Sequence, residues 1–106
     1  SSGNSFVHET ESQVILNGSY NINFTMDLVL KDTGLFDDLA KKLNAPLEIS
    51  PKIVEIFKDG KKKYGSRAWS SMIVKRMEDL NNINFRAKGF PEELTDNEPE
   101  EKGYEI

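Results

Sequence analysis

The chain has no cysteine among its 106 residues, so disulfides, thiolate metal sites and a cysteine nucleophile are all excluded. It has one histidine, His8, with no cysteine or second histidine to join it in a metal cluster or a catalytic triad. On a short polar helix, His8 reads as a surface residue. Glycines stand at positions 3, 18, 34, 60, 65, 89 and 103, and no two are separated by a single residue. A GxGxxG dinucleotide loop is therefore impossible within this chain. No stretch approaches the roughly 18 apolar residues of a membrane span, and no signal peptide is visible. A cytoplasmic, reducing compartment is the expectation, which makes Asn17-Gly18-Ser19 and Asn23-Phe24-Thr25 chance glycosylation sequons. The chain opens on Ser1-Ser2-Gly3 without methionine, as a processed or cut product or a cloning scar would.

A net positive charge is also lacking. Residues 88–106 carry a net −5 and the preceding 87 residues a net +1, within an overall −4. Without a basic body, nucleic-acid binding has little electrostatic support. Lys61-Lys62-Lys63 is too short to change that and reads as a solvated helix end.

What remains is helical periodicity. Ser5 to Leu16 forms one helix, with Phe6, Val14 and Ile15 apolar, closed by Asn17-Gly18. A second is capped by Thr25, carries Asp27 in its first turn where the helix dipole favours an anion, and runs to about Asn44. The third has Ser50 as cap and Pro51 at the first helical position. Its stripe is Ile53, Ile56, Phe57, Gly60 and Tyr64, with Gly65 at its C-terminus and Gly60 marking a close helix crossing. Ser66 opens a fourth helix with the stripe Trp69, Met72, Ile73, Met77 and Leu80. The expectation is an all-α small helical bundle over residues 1–87. Residues 88–106 form an acidic, extended or disordered tail.

The second helix poses a question of its own. At about 100° per residue, Leu28, Leu35, Leu39 and Leu43 share one face, yet Asp32 projects near the centre of that face and Lys31 near its edge. A local account pairs Asp27 with Lys31 across one turn and gives Asp32 a hydrogen-bond partner, because a buried carboxylate without one is costly. A functional account turns this part of the helix toward a cleft, where Lys31 addresses an anionic or carbonyl group and Asp32 holds a neighbour in place. Phe24, at the helix entry, is either a core plug or the wall of a ligand site. Met26 and Leu30 define a second apolar surface, simplest to explain as burial against another chain or domain.

Phe24, Lys31-Asp32, the leucine-rich helix Leu35 to Leu43, and Pro46-Leu47 together resemble the C-terminal helical domain of the β-hydroxyacid dehydrogenase family. That family includes 3-hydroxyisobutyrate dehydrogenase and the tartronate semialdehyde (glyoxylate) reductases. The likeness extends more loosely through Tyr64-Gly65 and Trp69-Ser70, covering about residues 3–80. It implies a truncated bundle of the 6-phosphogluconate-dehydrogenase-like C-terminal type. It also implies that Lys31 contacts an NAD or NADP cofactor, that Phe24 lines the cleft, and that Asp32 supports from behind. Two departures are visible: Ser5-Phe6 stands where members often have Ser-Trp, and Asp32-Thr33 where Asp-Leu is commoner.

The family's dinucleotide-binding (Rossmann) domain precedes this region, as does the interdomain helix with its catalytic lysine. No catalytic residue and no metal ligand is therefore expected here, and the chain alone should be inactive. Implied partners are a small hydroxy acid or semialdehyde, the chain's own Rossmann domain, and a second copy in a homodimer or higher oligomer. Self-association is expected through Met26, Leu30 and Trp69. Neither nucleic acid nor membrane is implied. The competing reading is a stand-alone helical interaction module without catalytic activity.

Overall fold

A computed structural model describes residues 3–94. Helix α1 spans Phe6–Asn17, α2 Met26–Lys42, α3 Ser50–Tyr64 and α4 Ile73–Asn81, with a 3-10 turn over Ser70–Met72 leading into α4. The fold is all-α; among the described residues the β-type pairing is a single antiparallel bridge between Thr25 and Trp69. No described helix is long and apolar enough to cross a membrane. The part of the acidic tail beyond Leu94 lies outside the described residues.

Helix ends follow local chemistry, with three departures from expectation. Ser5 caps α1 by accepting the His8 N–H at 3.0 Å. At the other end Gly18 takes a left-handed φ of 93°, and its N–H reaches the Val14 and Ile15 carbonyls. Thr25 occupies the N-cap of α2 without making the side-chain cap itself. Its hydroxyl donates to the Asp27 carboxylate, which accepts the Leu28 N–H at 3.0 Å, so the capping oxygen is supplied by Asp27. Ile49, not Ser50, precedes α3. The Ser50 hydroxyl instead donates to Asp37 Oδ1 at 2.7 Å and ties the start of α3 to α2. Ser66 does not open the last helix. Residues 66–70 are drawn into pairing with the chain entering α2, where Met26 N–H donates to Ala68 O, Asp27 N–H to Ser66 O and Ser70 N–H to Phe24 O. That pairing uses the backbone a helix would need, and α4 begins only at Ile73.

The α2–α3 pair is the most extensive helix contact, and it reverses the expected sidedness of α2. Met26 is 0% exposed and Ala40 is buried, while Leu28, Leu35, Leu39 and Leu43 all face outward. Gly60 of α3 explains the choice. A methyl group there would sit 2.9 Å from Ile73 Cδ1 and 3.2 Å from Met26 Cε, so the bare backbone is what admits Met26 between α3 and α4. The expected self-association through Met26 is therefore corrected, because that side chain is wholly internal. The α4 stripe is corrected too: Met77 and Leu80 are exposed, and the fully buried residue of this helix is Glu78.

Few apolar side chains are enclosed. The buried hydrophobic residues are Val14, Tyr20, Met26 and Ala40. Large apolar residues left exposed run from Phe6 and Val7 through the α2 leucines and Phe36 to Leu80 and Phe85. Scattered exposed leucines are ordinary, but a contiguous face marks an interaction surface.

Polar clamps join α3 to α4. Arg76 Nε lies 2.7 Å and Lys63 Nζ 3.2 Å from Asp59 Oδ2. The Tyr64 hydroxyl donates to Asp79 Oδ2 at 2.6 Å, while Lys75 holds Oδ1 at 3.1 Å. The Arg76 bond holds the Asp59 carboxyl below its ordinary 3.8, and the Tyr64 hydroxyl does the same for Asp79. Burial and the Asp79 carboxylate push Tyr64 up from 10.0 to about 12. Lowered carboxylates contribute stability that is present above pH 3.8 and lost as pH falls through their folded values. The raised tyrosine contributes stability that is complete below pH 10.0 and lost as pH rises toward about 12. Urea midpoints followed by helical circular dichroism should therefore be flat between these limits and fall on both sides. A midpoint independent of pH from 3 to 12, taken as roughly the span of these shifts, would remove both clamps from the stability account.

Candidate functional site

Phe24 is positioned by a reversal of the chain. Tyr20 and Asn23 both adopt a left-handed φ of 57°, a conformation that asparagine tolerates and tyrosine adopts only when held. The hold on Tyr20 is visible: Ser71 Oγ donates to its carbonyl at 2.5 Å, and its N–H reaches Val14 O at 3.1 Å. With its carbonyl fixed by Ser70, Phe24 becomes a half-buried wall of a depression of about 520 Å³.

The depression is mostly apolar, walled by Phe6, Val7, Ile22, Phe24, Val29, Phe57, Ile73 and Leu94, with Thr10, Glu11 and Ser70 as its polar lining. The Thr10 hydroxyl is already committed to Phe6 O at 2.8 Å. Burial pushes the Glu11 carboxyl up. Glu11 is the one ionisable group in this lining, and the apolar walls around it suit an apolar group.

Lys31 and Asp32 lie elsewhere. Both are exposed on the outer side of α2, and neither lines the Phe24 depression. Neither makes an ion pair among the described residues. Asp27 does not pair with Lys31. It faces Arg67 Nη1 at 3.4 Å and accepts from Thr25, and the Thr25 bond, then Arg67, lowers its pKa from 3.8. The local account of the Lys31-Asp32 pair thus loses its salt bridge. What surrounds the pair instead is apolar: Leu28 and Leu35 lie one turn to either side on the same exposed face. His8 is exposed, and no group of three His, Asp or Glu side chains among the described residues is placed to hold a metal ion.

Residues 1–77 match the family described as "NAD-binding of NADP-dependent 3-hydroxyisobutyrate dehydrogenase". The chain belongs to this family. A curated relative, 2-(hydroxymethyl)glutarate dehydrogenase of Eubacterium barkeri, is 31% identical over 85 residues, a stretch covering 79% of this chain and 28% of the relative. The chain therefore spans little more than a quarter of that dehydrogenase. No solved structure matches it. Within the 3-hydroxyisobutyrate dehydrogenase family match lie Phe24, Lys31 and Asp32, together with the buried Tyr20; Glu78 and Arg86 fall just beyond it.

A second polar site was not legible in the sequence. The Tyr20 hydroxyl donates to Glu78 Oε1 at 2.6 Å and accepts from Arg86 Nη2 at 2.7 Å. Arg86 Nη1 lies 3.3 Å from the same carboxylate oxygen, and its guanidinium sits 5.1 Å from the centre of the Tyr20 ring. Burial, then the bond to Glu78, pushes the Tyr20 hydroxyl above 10.0. Glutamate on a short helix ordinarily reads as solvated, and nothing in the spacing of residues 20, 78 and 86 brings them together.

Proposed function

We propose that this chain is the helical C-terminal portion of an NAD(P)-dependent 3-hydroxyacid dehydrogenase. In this reading the outer face of α2 is a wall of the cleft that the dinucleotide-binding domain closes. The observation that carries it is the uncommitted Lys31-Asp32 pair on an unpartnered apolar face, in a chain with few enclosed apolar side chains.

The residues present fit one end of a nicotinamide dinucleotide and not the other. Without a glycine-rich loop the chain offers no cradle for the pyrophosphate. An exposed ammonium flanked by Leu28 and Leu35 suits the amide and ring of the nicotinamide, where one donor beside apolar surface orients a planar group. When bound, a nicotinamide would supply the hydride-transfer chemistry between a hydroxy acid and its semialdehyde. Lys31 binds and orients, Asp32 stands behind as a supporting group, and the leucines exclude water as the cleft closes. The general base that removes the hydroxyl proton belongs to the preceding part of the parent enzyme, so residues 1–87 alone turn over no substrate.

In the parent enzyme Lys31→Ala is expected to lower kcat/KM about 10- to 100-fold. That corresponds to losing a charge-assisted hydrogen bond of about 1.5–3 kcal/mol, with helicity unchanged because the side chain is exposed. Wild-type kinetics in that variant would separate Lys31 from the cofactor. The leucine face equally suits a helical interaction module, and the reading frame upstream of Ser1 decides between the two. A strand, a GxGxxG turn and a helix encoded there support the dehydrogenase; a start codon immediately before Ser1 supports the module. A homodimer belongs to the dehydrogenase reading, and light scattering that returns a monomer mass for the parent would remove it.

A further inference from the structure

The family match ends at residue 77, but the chain stays on the bundle for a further stretch. Past α4, Asn82 turns it back with a left-handed φ of 56°, and residues 83–94 run without helix across the C-terminal end of α1. Ala87 N–H donates to Leu16 O at 3.0 Å, Asn17 Nδ2 to Phe90 O at 2.9 Å, and Ser19 Oγ to Glu92 O at 2.6 Å. Its apolar side chains are weakly sheltered: Ile83, Phe85 and Phe90 remain 48%, 42% and 37% exposed. Burial therefore holds this segment only in part. Arg86 ties it to a fully enclosed group, the Glu78 carboxylate, and that carboxylate has no partner for Oε2 among the described residues. At its far end Leu94 stands in the wall of the Phe24 depression.

We propose that residues 83–94 are a latched strap, with Arg86 as the latch on Glu78 and Tyr20, and Leu94 as the removable wall of an apolar pocket beside Phe24. The proposal needs only the depression and the latch, and stands whether or not Lys31 meets a cofactor. Three features favour movement of the strap over a fixed seat. It lacks secondary structure, its backbone bonds to α1 are few, and its one strong anchor is a single side chain that is itself partly exposed. The anchor is also incompletely satisfied, since a buried carboxylate with one orphaned oxygen is short of the pairing that makes an interior ion pair permanent. Arg86 shields Gly18 as well, where an added Cβ would meet its Nε at 2.5 Å, so the latch also closes over the end of α1. Released, the strap would take Leu94 with it and open the pocket to a neutral apolar group.

The test uses the whole 106-residue chain. Removing Arg86 alone would strand the Glu78 charge, so the informative variant is Arg86→Met with Glu78→Gln, which deletes the latch and the buried charge together. Amide exchange at Ala87 is expected to quicken about tenfold or more in this double variant, while amides in the α2–α3 pair keep their wild-type rates. Nile red, a neutral apolar dye, should bind more strongly to the double variant and to Leu94→Ala, and Leu94→Ala should leave exchange at Ala87 unchanged. Unaltered Ala87 exchange in the double variant overturns the latch. An equal rise across α2 and α3 also overturns it, by making Arg86 part of the general core. Dye binding that ignores both variants overturns the role of Leu94 as a wall.

Discussion

Met26→Ala is expected to destabilise the chain by about 3 kcal/mol, among the largest losses available to a single substitution here. Met26 is 0% exposed and fills the space between Gly60 and Ile73, so truncation removes its transfer free energy and leaves a cavity. The surrounding helices cannot collapse into that space freely, because Ser50 and Asp37 on one side and Arg76 and Asp59 on the other fix their separation. Domains of this size hold a margin of roughly 5–10 kcal/mol, so a large share of it goes with one thioether. Chemical denaturation should show a lower midpoint with an unchanged slope. Leu35→Ala, on the exposed face of the same helix, is the internal control and should shift the midpoint by less than about 0.5 kcal/mol. Equal effects from the two would mean that the sidedness of α2 is wrong.

The second large effect belongs to Gly60. An alanine there meets only the ends of two flexible side chains, and helix propensity returns up to about 1 kcal/mol, so Gly60→Ala should stay within about 1 kcal/mol of wild type. Gly60→Leu has no such escape. Its branched end must enter the space held by Met26 and Ile73, and overpacking of this kind costs about 3 kcal/mol. Thermal melts of the pair separate a steric crossing from a mere helix-propensity effect. Two variants equally close to wild type would show that α3 and α4 do not meet at this glycine.

Reading order matters for the candidate site. Phe24 stands out in the sequence as an aromatic just ahead of a capped helix, and the hollow it lines is not the face that carries Lys31 and Asp32. Lys31 and Asp32 are legible as an anomaly, two adjacent charged residues on a leucine face, yet spacing leaves open whether that face is inside or outside. The structure puts it outside and gives Asp27 to Arg67, which strips the pair of its local explanation. The Tyr20–Glu78–Arg86 triangle had no usable signal. Its members are 58 and 8 residues apart, and only the turn at Tyr20 and the return after Asn82 make them neighbours.

By itself the sequence determined the all-α class, the approximate helix bodies, the Gly18 cap and the close crossing at Gly60. These depend on periodicity and on backbone preferences that act over a few residues. Tertiary structure alone decided which of the two apolar faces of α2 is buried, where α4 starts, and that Glu78 lies inside. For α2, two apolar faces compete, so burial is settled by the partner, and Met26 is the side chain that enters the relief Gly60 opens in α3. For α4, pairing of residues 66–70 with the entry to α2 uses backbone donors and acceptors from distant stretches, a competition no local window contains.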